Sequence, residues 1–134
     1  MPVDGLMTLP STHGPKETMS RLEAAVKAKG MTVFARIDHA AGAAAVGLPL
    51  RPTELLIFGN ARAGTPLMQS VQTIAIDLPL KALVWQDDAG STWLSYSDPR
   101  WLAKRHGAGH ELDAAVNGMA AALDAVAQTA TTSQ

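Results

Sequence analysis

The sequence contains no cysteine, and it is poor in aromatic and charged residues. Among its 134 residues, aromatic side chains make up 4% and charged side chains 17%. The absence of cysteine excludes disulfides, thiolate metal sites and cysteine nucleophiles. Apolar residues nevertheless make up 47% of the chain, which is typical of a globular protein and too hydrophobic for a disordered one.

Neither positive nor negative charge predominates in the sequence. Eleven basic residues oppose twelve acidic ones, which gives a net charge of -1. Lys and Arg are concentrated in no part of the sequence, so a nucleic-acid partner is not expected, because a phosphate backbone is normally met by a basic stripe. The first residues do not resemble a leader, and eighteen apolar residues never occur in a row. We therefore expect a cytoplasmic protein without a membrane partner.

What is present is a mixture of two hydrophobic periods. Apolar residues alternate with a period of two in several short segments, which predicts strands, and they recur every three or four residues elsewhere, which predicts helices. We expect strands over 6–9, 31–38, 53–58, 80–87 and 91–97, and helices over 16–29, 39–45, 65 to about 75, 99–106 and 112–126. The predicted fold is α+β, a single layer of four to five mainly antiparallel strands packed with helices, largely on one face. Residues 1–128 are expected to form a single domain, and residues 129–134 a frayed polar tail.

The segment ELLIFGNARAGTPLMQS, residues 54–70, joins an apolar strand to two glycines and an expected helix start. A nucleotide-triphosphate loop requires Lys and then Ser or Thr after its second glycine. Here Thr65 and Pro66 follow Gly64, so the lysine is missing and the next residue has no amide hydrogen. This excludes a triphosphate loop.

A smaller anion site remains possible at the same turn. If Thr65 is the N-cap, the free amides of the helix start can hold a carboxylate or a single phosphate, with Arg62 nearby. The alternative is that Thr65 only caps its own helix while the glycines shape a corner and Arg62 is solvated. The ligand-binding candidates are Gly59, Asn60, Arg62, Gly64, Thr65 and His106.

A second group of candidates is suited to acid/base chemistry. Asp38 and His39 stand where a strand is expected to pass into a helix, so His39 can act as a general base oriented by Asp38 and assisted by Tyr96 or His106. The alternative is that Asp38 caps the helix and His39 is structural. The catalytic candidates are therefore Asp38, His39 and Tyr96.

A metal or haem carrier is the third possibility. His106 and His110 have the spacing of a helical metal pair, but Gly107 and Gly109 argue against a continuous helix between them. His39 can join either histidine, and Met68 can serve as a haem ligand. We assign no metal ligand and no cofactor from these residues.

Three stretches carry a family resemblance. The segments VFARIDHAAGAAAVGLPLRPTELLIFGNARAGTPLMQS (33–70), DLPLKALVWQDDAGSTWLSYSDP (77–99) and LAKRH (102–106) resemble the bacterial and archaeal family catalogued as domain of unknown function 302. The resemblance covers residues 6 to 126, and it implies a compact α+β domain with an antiparallel sheet whose members associate as dimers. It carries no catalytic residue over, and Ala61 stands where many relatives have proline. The positions that match the family pattern are Asp38, His39, Glu54, Phe58, Gly59, Asn60, Thr65, Pro66, Tyr96 and His106.

Three functional hypotheses follow, and the sequence leaves open whether the protein is an enzyme. The first is a homodimeric, non-enzymatic module that binds a small anionic ligand near the Gly59–Thr65 turn. The second is an enzyme that acts on a small polar substrate with His39 as general base. The third is a metal or haem binder that uses His39, His106 or His110. We rank them in this order.

Overall fold

The computed structural model describes residues 2–133, and its centre is a five-stranded antiparallel sheet. All five predicted strands are confirmed, to within one residue at each end. The fold is therefore α+β, as expected. The strands are Leu6–Pro10 (β1), Thr32–Asp38 (β2), Thr53–Gly59 (β3), Leu80–Gln86 (β4) and Thr92–Ser97 (β5).

The strand order across the sheet is β1, β5, β4, β3, β2. Strands β2 to β5 follow one another as antiparallel neighbours, and β1 pairs with β5 from the far end of the chain. The hairpin of β4 and β5 turns at Asp88, Ala89 and Gly90, as the sequence predicts, and Gly90 has the positive φ of 84° that this turn requires.

Helices cover one face of this sheet. The first helix carries Met19, Leu22 and Val26, all fully buried, at the three- and four-residue spacing of a single stripe. The last helix runs beside the first and closes the core over β1 and β5. The helices are Pro15–Ala28 (α1), His39–Ala45 (α2), Ala61–Ser70 (α3), Pro99–Arg105 (α4) and Asp113–Thr131 (α5), with 3-10 turns at Gln72–Ile76 and His110–Leu112.

An ion-pair bridge fastens α1 to the edge of the sheet. Arg36 on β2 donates from Nε to Glu54 on β3 at 2.6 Å and from Nη1 to Glu23 on α1 at 3.0 Å. The bond from Lys27 and then that from Arg36 lower the pKa of the Glu23 carboxyl, and the bond to Glu54 raises the pKa of Arg36. On the edge strand β2, the face of the sheet that the helices cover thus carries a charged residue, Arg36.

A bulge in β2 changes the direction of one large side chain. The pairing of β2 with β3 shifts its register between Val33 and Ala35, so Phe34 has no partner on β3. An extra residue of this kind bends a strand and redirects its side chain. Phe34 is 57% exposed, whereas Phe58 on β3 is completely buried.

The start of β1 is held against α4. Gly5 has a φ of 75°, and its carbonyl accepts a hydrogen bond from the Asp98 amide at 2.8 Å. A Cβ at this position would overlap the ring of Trp101. Glycine is therefore required here by its conformation and by its neighbour.

Helix α5 extends further than its hydrophobic stripe suggests. It ends at Thr131, three residues into the stretch that we expected to fray, and Ala130 and Thr131 are both buried. The Thr131 carbonyl accepts from the Thr12 amide at 2.9 Å. This contact with the segment after β1 gives the end of the helix partners that its sequence does not reveal. Residue 134 lies outside the described residues, and a single domain over 1–128 stays a prediction.

The second face of the sheet, called the open face below, has no helix packed on it among the described residues. In-register partners on neighbouring strands point to the same side, which identifies the members of this face from the pairing. Trp85 and Trp93 stack there with ring centroids 6.1 Å apart. The open face consists of Leu6, Thr8, Pro10, Ala35, Ile37, Thr53, Leu55, Ile57, Lys81, Leu83, Trp85, Trp93, Ser95 and Ser97.

Candidate functional site

The predicted glycine turn after β3 is instead the first part of a helix. Helix α3 begins at Ala61, and the Asn60 side chain caps it by accepting from the Arg62 amide at 2.8 Å. The prediction that Thr65 is the N-cap is therefore wrong. Asn is a strong cap, and the alanines that follow favour helix, so the helix starts five residues early and Thr65 lies in its interior.

The start of α3 borders a pocket of about 210 Å³. Four of the ligand-binding candidates line it, namely Gly59, Asn60, Gly64 and Thr65. Most of the remaining wall is apolar, and it is formed by Phe34, Ala61, Met68, Leu78, Pro79, Leu80 and Met119. Such a wall offers little to offset the desolvation of an anion.

Arg62, the predicted cation of this site, is exposed and is not among the residues that line the pocket. His106 belongs to a different cluster, described below. The predicted donors of the anion site are therefore not brought together.

The acid/base candidates are also separated. Asp38 caps α2 by accepting from the Ala41 amide at 2.9 Å, which confirms the structural alternative for this residue. His39 is exposed at the first position of α2. Tyr96 is buried on β5, with β3 and β4 between it and β2, a separation of about 14 Å at the usual strand spacing. These side chains do not share a substrate position.

Burial also determines the state of Tyr96. Desolvation raises the pKa of its phenol above the ordinary value, and the charges of Asp124 and Asp98 add to this effect. The phenol therefore stays protonated around neutral pH and can act as a hydrogen-bond donor.

A hydrogen-bonded group of polar side chains surrounds Asp77. His106 Nε2 lies 2.6 Å from Asp77 Oδ2, and Arg105 donates from Nη1 to both carboxylate oxygens at 2.9 and 2.8 Å. The other ring nitrogen of His106, Nδ1, lies 3.1 Å from Thr73 Oγ1. The His106 side chain is only 9% exposed. A hydroxyl, an imidazole and a carboxylate thus form one hydrogen-bonded chain.

Sequence reasoning identified His106 but missed its partners. Thr73 and Asp77 are 33 and 29 residues from it along the chain, and they lie on or directly after the 3-10 turn. This turn was not separated from the preceding helix in the sequence. The only local signal was the Arg105–His106 pair at the end of α4.

The histidines proposed for metal binding are not grouped. His39 lies at the start of α2, and His106 is engaged by Thr73 and Asp77. His110 contacts Asp113 at 3.2 Å on the surface. Over residues 2–133, the structure holds no group of three His, Cys, Asp or Glu side chains arranged to bind a metal ion.

The family model for the domain of unknown function DUF302 matches residues 7–126. The chain belongs to this family. The resemblance stated from the sequence is thereby confirmed.

A solved structure of the family has the same fold. The crystal structure of an uncharacterized conserved protein DUF302 from Bacillus stearothermophilus superimposes with a TM-score of 0.84 and covers 96% of this chain and 99% of that one. Sequence identity between the two is 21%, so the likeness concerns the fold alone.

The chain also matches part of longer, named proteins. The chain is 51% identical over 115 residues to a protein named fluoride-specific ion channel FluC 1 from Brucella suis, and to one of the same name from Brucella abortus. The aligned segment covers 86% of this chain but only 45% and 43% of those relatives. The chain thus spans less than half the length of the curated relatives that it matches.

These names overturn several expectations. An ion channel works in a membrane, so the predictions of a cytoplasmic location, of no membrane partner and of a non-enzymatic module for a small anionic ligand are contradicted. The sequence misled us because composition and charge report on the aligned segment and carry no information about the larger proteins in which it occurs. Among the described residues, none of the helices is both long enough and apolar enough to cross a membrane.

Proposed function

We propose that this chain serves fluoride transport as an accessory domain that docks on the conducting part of a fluoride-specific ion channel. The observation that carries the proposal is the 51% identity over 86% of the chain to proteins of that name. Identity at this level over nearly a whole domain supports a shared role for the domain. More than half of each relative lies outside the aligned segment, and we assign the conducting part to that remainder.

The open face is the surface that we assign to docking. Lys81 is its one charged residue among the described strands, and its Nζ donates to the Pro79 carbonyl at 2.9 Å and to the Asp77 carbonyl at 3.3 Å. Leu6 and Ile37, at the two edges of the sheet, are 40% and 39% exposed. A broad, nearly uncharged surface is typical of an interface with another protein.

The size of this face fits a tethered contact. Five strands spaced about 4.8 Å apart span about 19 Å, and strands of about six residues are about 20 Å long, which gives on the order of 400 Å². A stable interface between separate proteins buries about 800 Å² on each partner. A joined polypeptide needs less, because the tether supplies an effective concentration in the millimolar range.

Fluoride efflux from liposomes tests the proposal. We would compare the intact Brucella suis relative, the same protein without its aligned 115 residues, and a chimera in which this chain replaces those residues. A fluoride electrode reports the efflux rate. We expect the deletion to lower efflux per reconstituted protein and the chimera to restore it.

Two chimera variants test the docking surface. Leu83→Lys places a second charge at the centre of the open face, and Ala121→Lys places the same charge on the exposed side of α5. The first variant should lose the restored efflux and the second should keep it, provided that both show the far-UV circular dichroism of the parent. Full efflux from the deletion protein would overturn the accessory role. Equal efflux from the two variants would overturn only the assignment of the open face.

A further inference from the structure

The chain from Thr73 through His106 to Asp77 has a defined proton arrangement. An ionised carboxylate can only accept hydrogen bonds, so His106 Nε2 must carry the hydrogen that points to Asp77 Oδ2, 2.6 Å away. In the neutral ring, Nδ1 then carries no hydrogen and presents a lone pair. It lies 3.1 Å from the Thr73 hydroxyl and accepts its hydrogen.

Arg105 fixes the third member of this chain. Its guanidinium donates to both carboxylate oxygens of Asp77, so both oxygens serve as hydrogen-bond acceptors. Asp77 is therefore held as an acceptor, and it orients the imidazole through Nε2. A nucleophile beside a base that is itself oriented by a third group is the arrangement that activates a hydroxyl.

We propose that Thr73 is a nucleophile for acyl transfer, with His106 as its general base and Asp77 as the positioning residue. Thr73 Oγ1 attacks the carbonyl carbon of a small carboxylic ester while its proton passes to His106 Nδ1. The ester C–O bond breaks, the leaving alcohol takes that proton, and the acyl group stays on Thr73. A water molecule activated by the same nitrogen then releases the carboxylic acid and regenerates the hydroxyl.

The surroundings suit a small ester with an apolar part. Thr73 is exposed, so a substrate can reach its hydroxyl. One turn further, Ile76 and Asp77 border a cleft of about 220 Å³ that also contains Leu80 and Leu102. The apolar side chains of this cleft offer a place for a short acyl or alcohol group next to Asp77.

A second His–Asp pair in the chain provides an internal comparison. His110 contacts Asp113 at 3.2 Å and is fully exposed, without the hydroxyl partner that His106 has in Thr73. Both places therefore have an imidazole close to a carboxylate. Only the Thr73 cluster adds a nucleophile to it within the described residues.

Labelling with p-nitrophenyl acetate tests the proposal. Peptide mass spectrometry locates the acetyl group, and absorbance follows release of p-nitrophenolate. We expect acetylation of Thr73 to exceed that of exposed Thr129, whose hydroxyl donates to the Ala125 carbonyl, by on the order of 10²-fold, the usual contribution of a general base.

Variants separate chemistry from folding. Thr73→Val should abolish the label at this position, and His106→Gln should slow it by on the order of 10²-fold. Asp77→Asn should slow it as well, because an amide can donate to Nε2 and move the ring hydrogen to Nδ1, while Asp77→Glu should recover part of the rate. His110→Ala and Thr129→Val are the matched controls and should label Thr73 at the parent rate.

Every outcome bears on the proposal. Circular dichroism and thermal unfolding identify variants that fail to fold, and for these the parent protein still reports through the location of its label. An acetyl group found only on lysines or on His106 would overturn the proposal, as would equal labelling of Thr73 and Thr129 in the parent protein. Fluoride efflux is not measured in this experiment, so its result is independent of the accessory role.

Discussion

Replacing Phe58 by alanine should be among the most damaging single changes in this protein, whereas the same change at Phe34 should be tolerated. The chain has only two phenylalanines, and they lie on neighbouring strands. Phe58 is fully buried in the core, and the bulge in β2 leaves Phe34 57% exposed. The pair therefore makes an internal control with identical chemistry.

The expected magnitudes follow from these burials. Truncation of a fully buried phenylalanine typically lowers the free energy of unfolding by about 3–5 kcal/mol, because apolar contacts are lost and a cavity remains. A change at an exposed position usually stays within about 0.5 kcal/mol. A domain of this kind has a total stability of about 5–15 kcal/mol. Phe58→Ala can therefore remove roughly a fifth of it or more.

Urea unfolding provides the assay. Circular dichroism and tryptophan fluorescence would be followed together, and the dependence of free energy on urea should stay unchanged in the parent and in both variants. If Phe58→Ala is too unstable to measure, Phe58→Leu should still cost about 1–1.5 kcal/mol. Equal losses at Phe58 and Phe34 would refute the bulge and the direction of both side chains.

Two further predictions concern a carboxylate and a glycine. The Trp93 indole, followed by the Ser91 amide, lowers the pKa of Asp87, so the stabilisation is present above the ordinary carboxyl pKa of about 4 and is lost as the pH falls through the lowered value. In acid titrations of thermal stability, Asp87→Asn should lack part of this loss; an unchanged acid slope would contradict the Trp93 bond. Gly30→Ala should lower the free energy of unfolding by roughly 1 kcal/mol, because Gly30 has a positive φ. Gly5→Ala should lower it by more, because its Cβ would also overlap Trp101. Equal losses for the two variants in urea unfolding would show that this overlap is absent.

Local patterns were sufficient to predict most of the fold. The apolar segments fixed the positions of the strands before any contact was known, although in β2 Ala35 and Ile37 lie on the open face and Arg36 lies on the covered one. The interpretation of Asp38 as a helix cap is confirmed, because its side chain accepts the expected hydrogen bond from the Ala41 amide. These features depend on residues within a few positions of one another, which a sequence displays directly.

The candidate site could not be predicted in the same way. Asn60 was overlooked as a cap because Thr65 and Pro66 offered a second helix start, although Asn60 and the alanines after it favour the earlier one. Thr73 and Asp77 meet His106 through the docking of a 3-10 turn on α4. Contacts of this range depend on strand order and helix placement, neither of which leaves a periodic signal.

Strand β1 covers the edge of the sheet that β5 would otherwise form. It pairs with β5 although Thr8 and Ser95 are 87 residues apart, so loop closure makes this pairing the most costly in the sheet and delays it in folding. Until β1 is in place, the backbone of β5 is an open edge that carries Trp93, Leu94 and Tyr96. An apolar edge of this kind can pair with a second chain. We therefore expect this five-residue strand to protect the folding protein against aggregation.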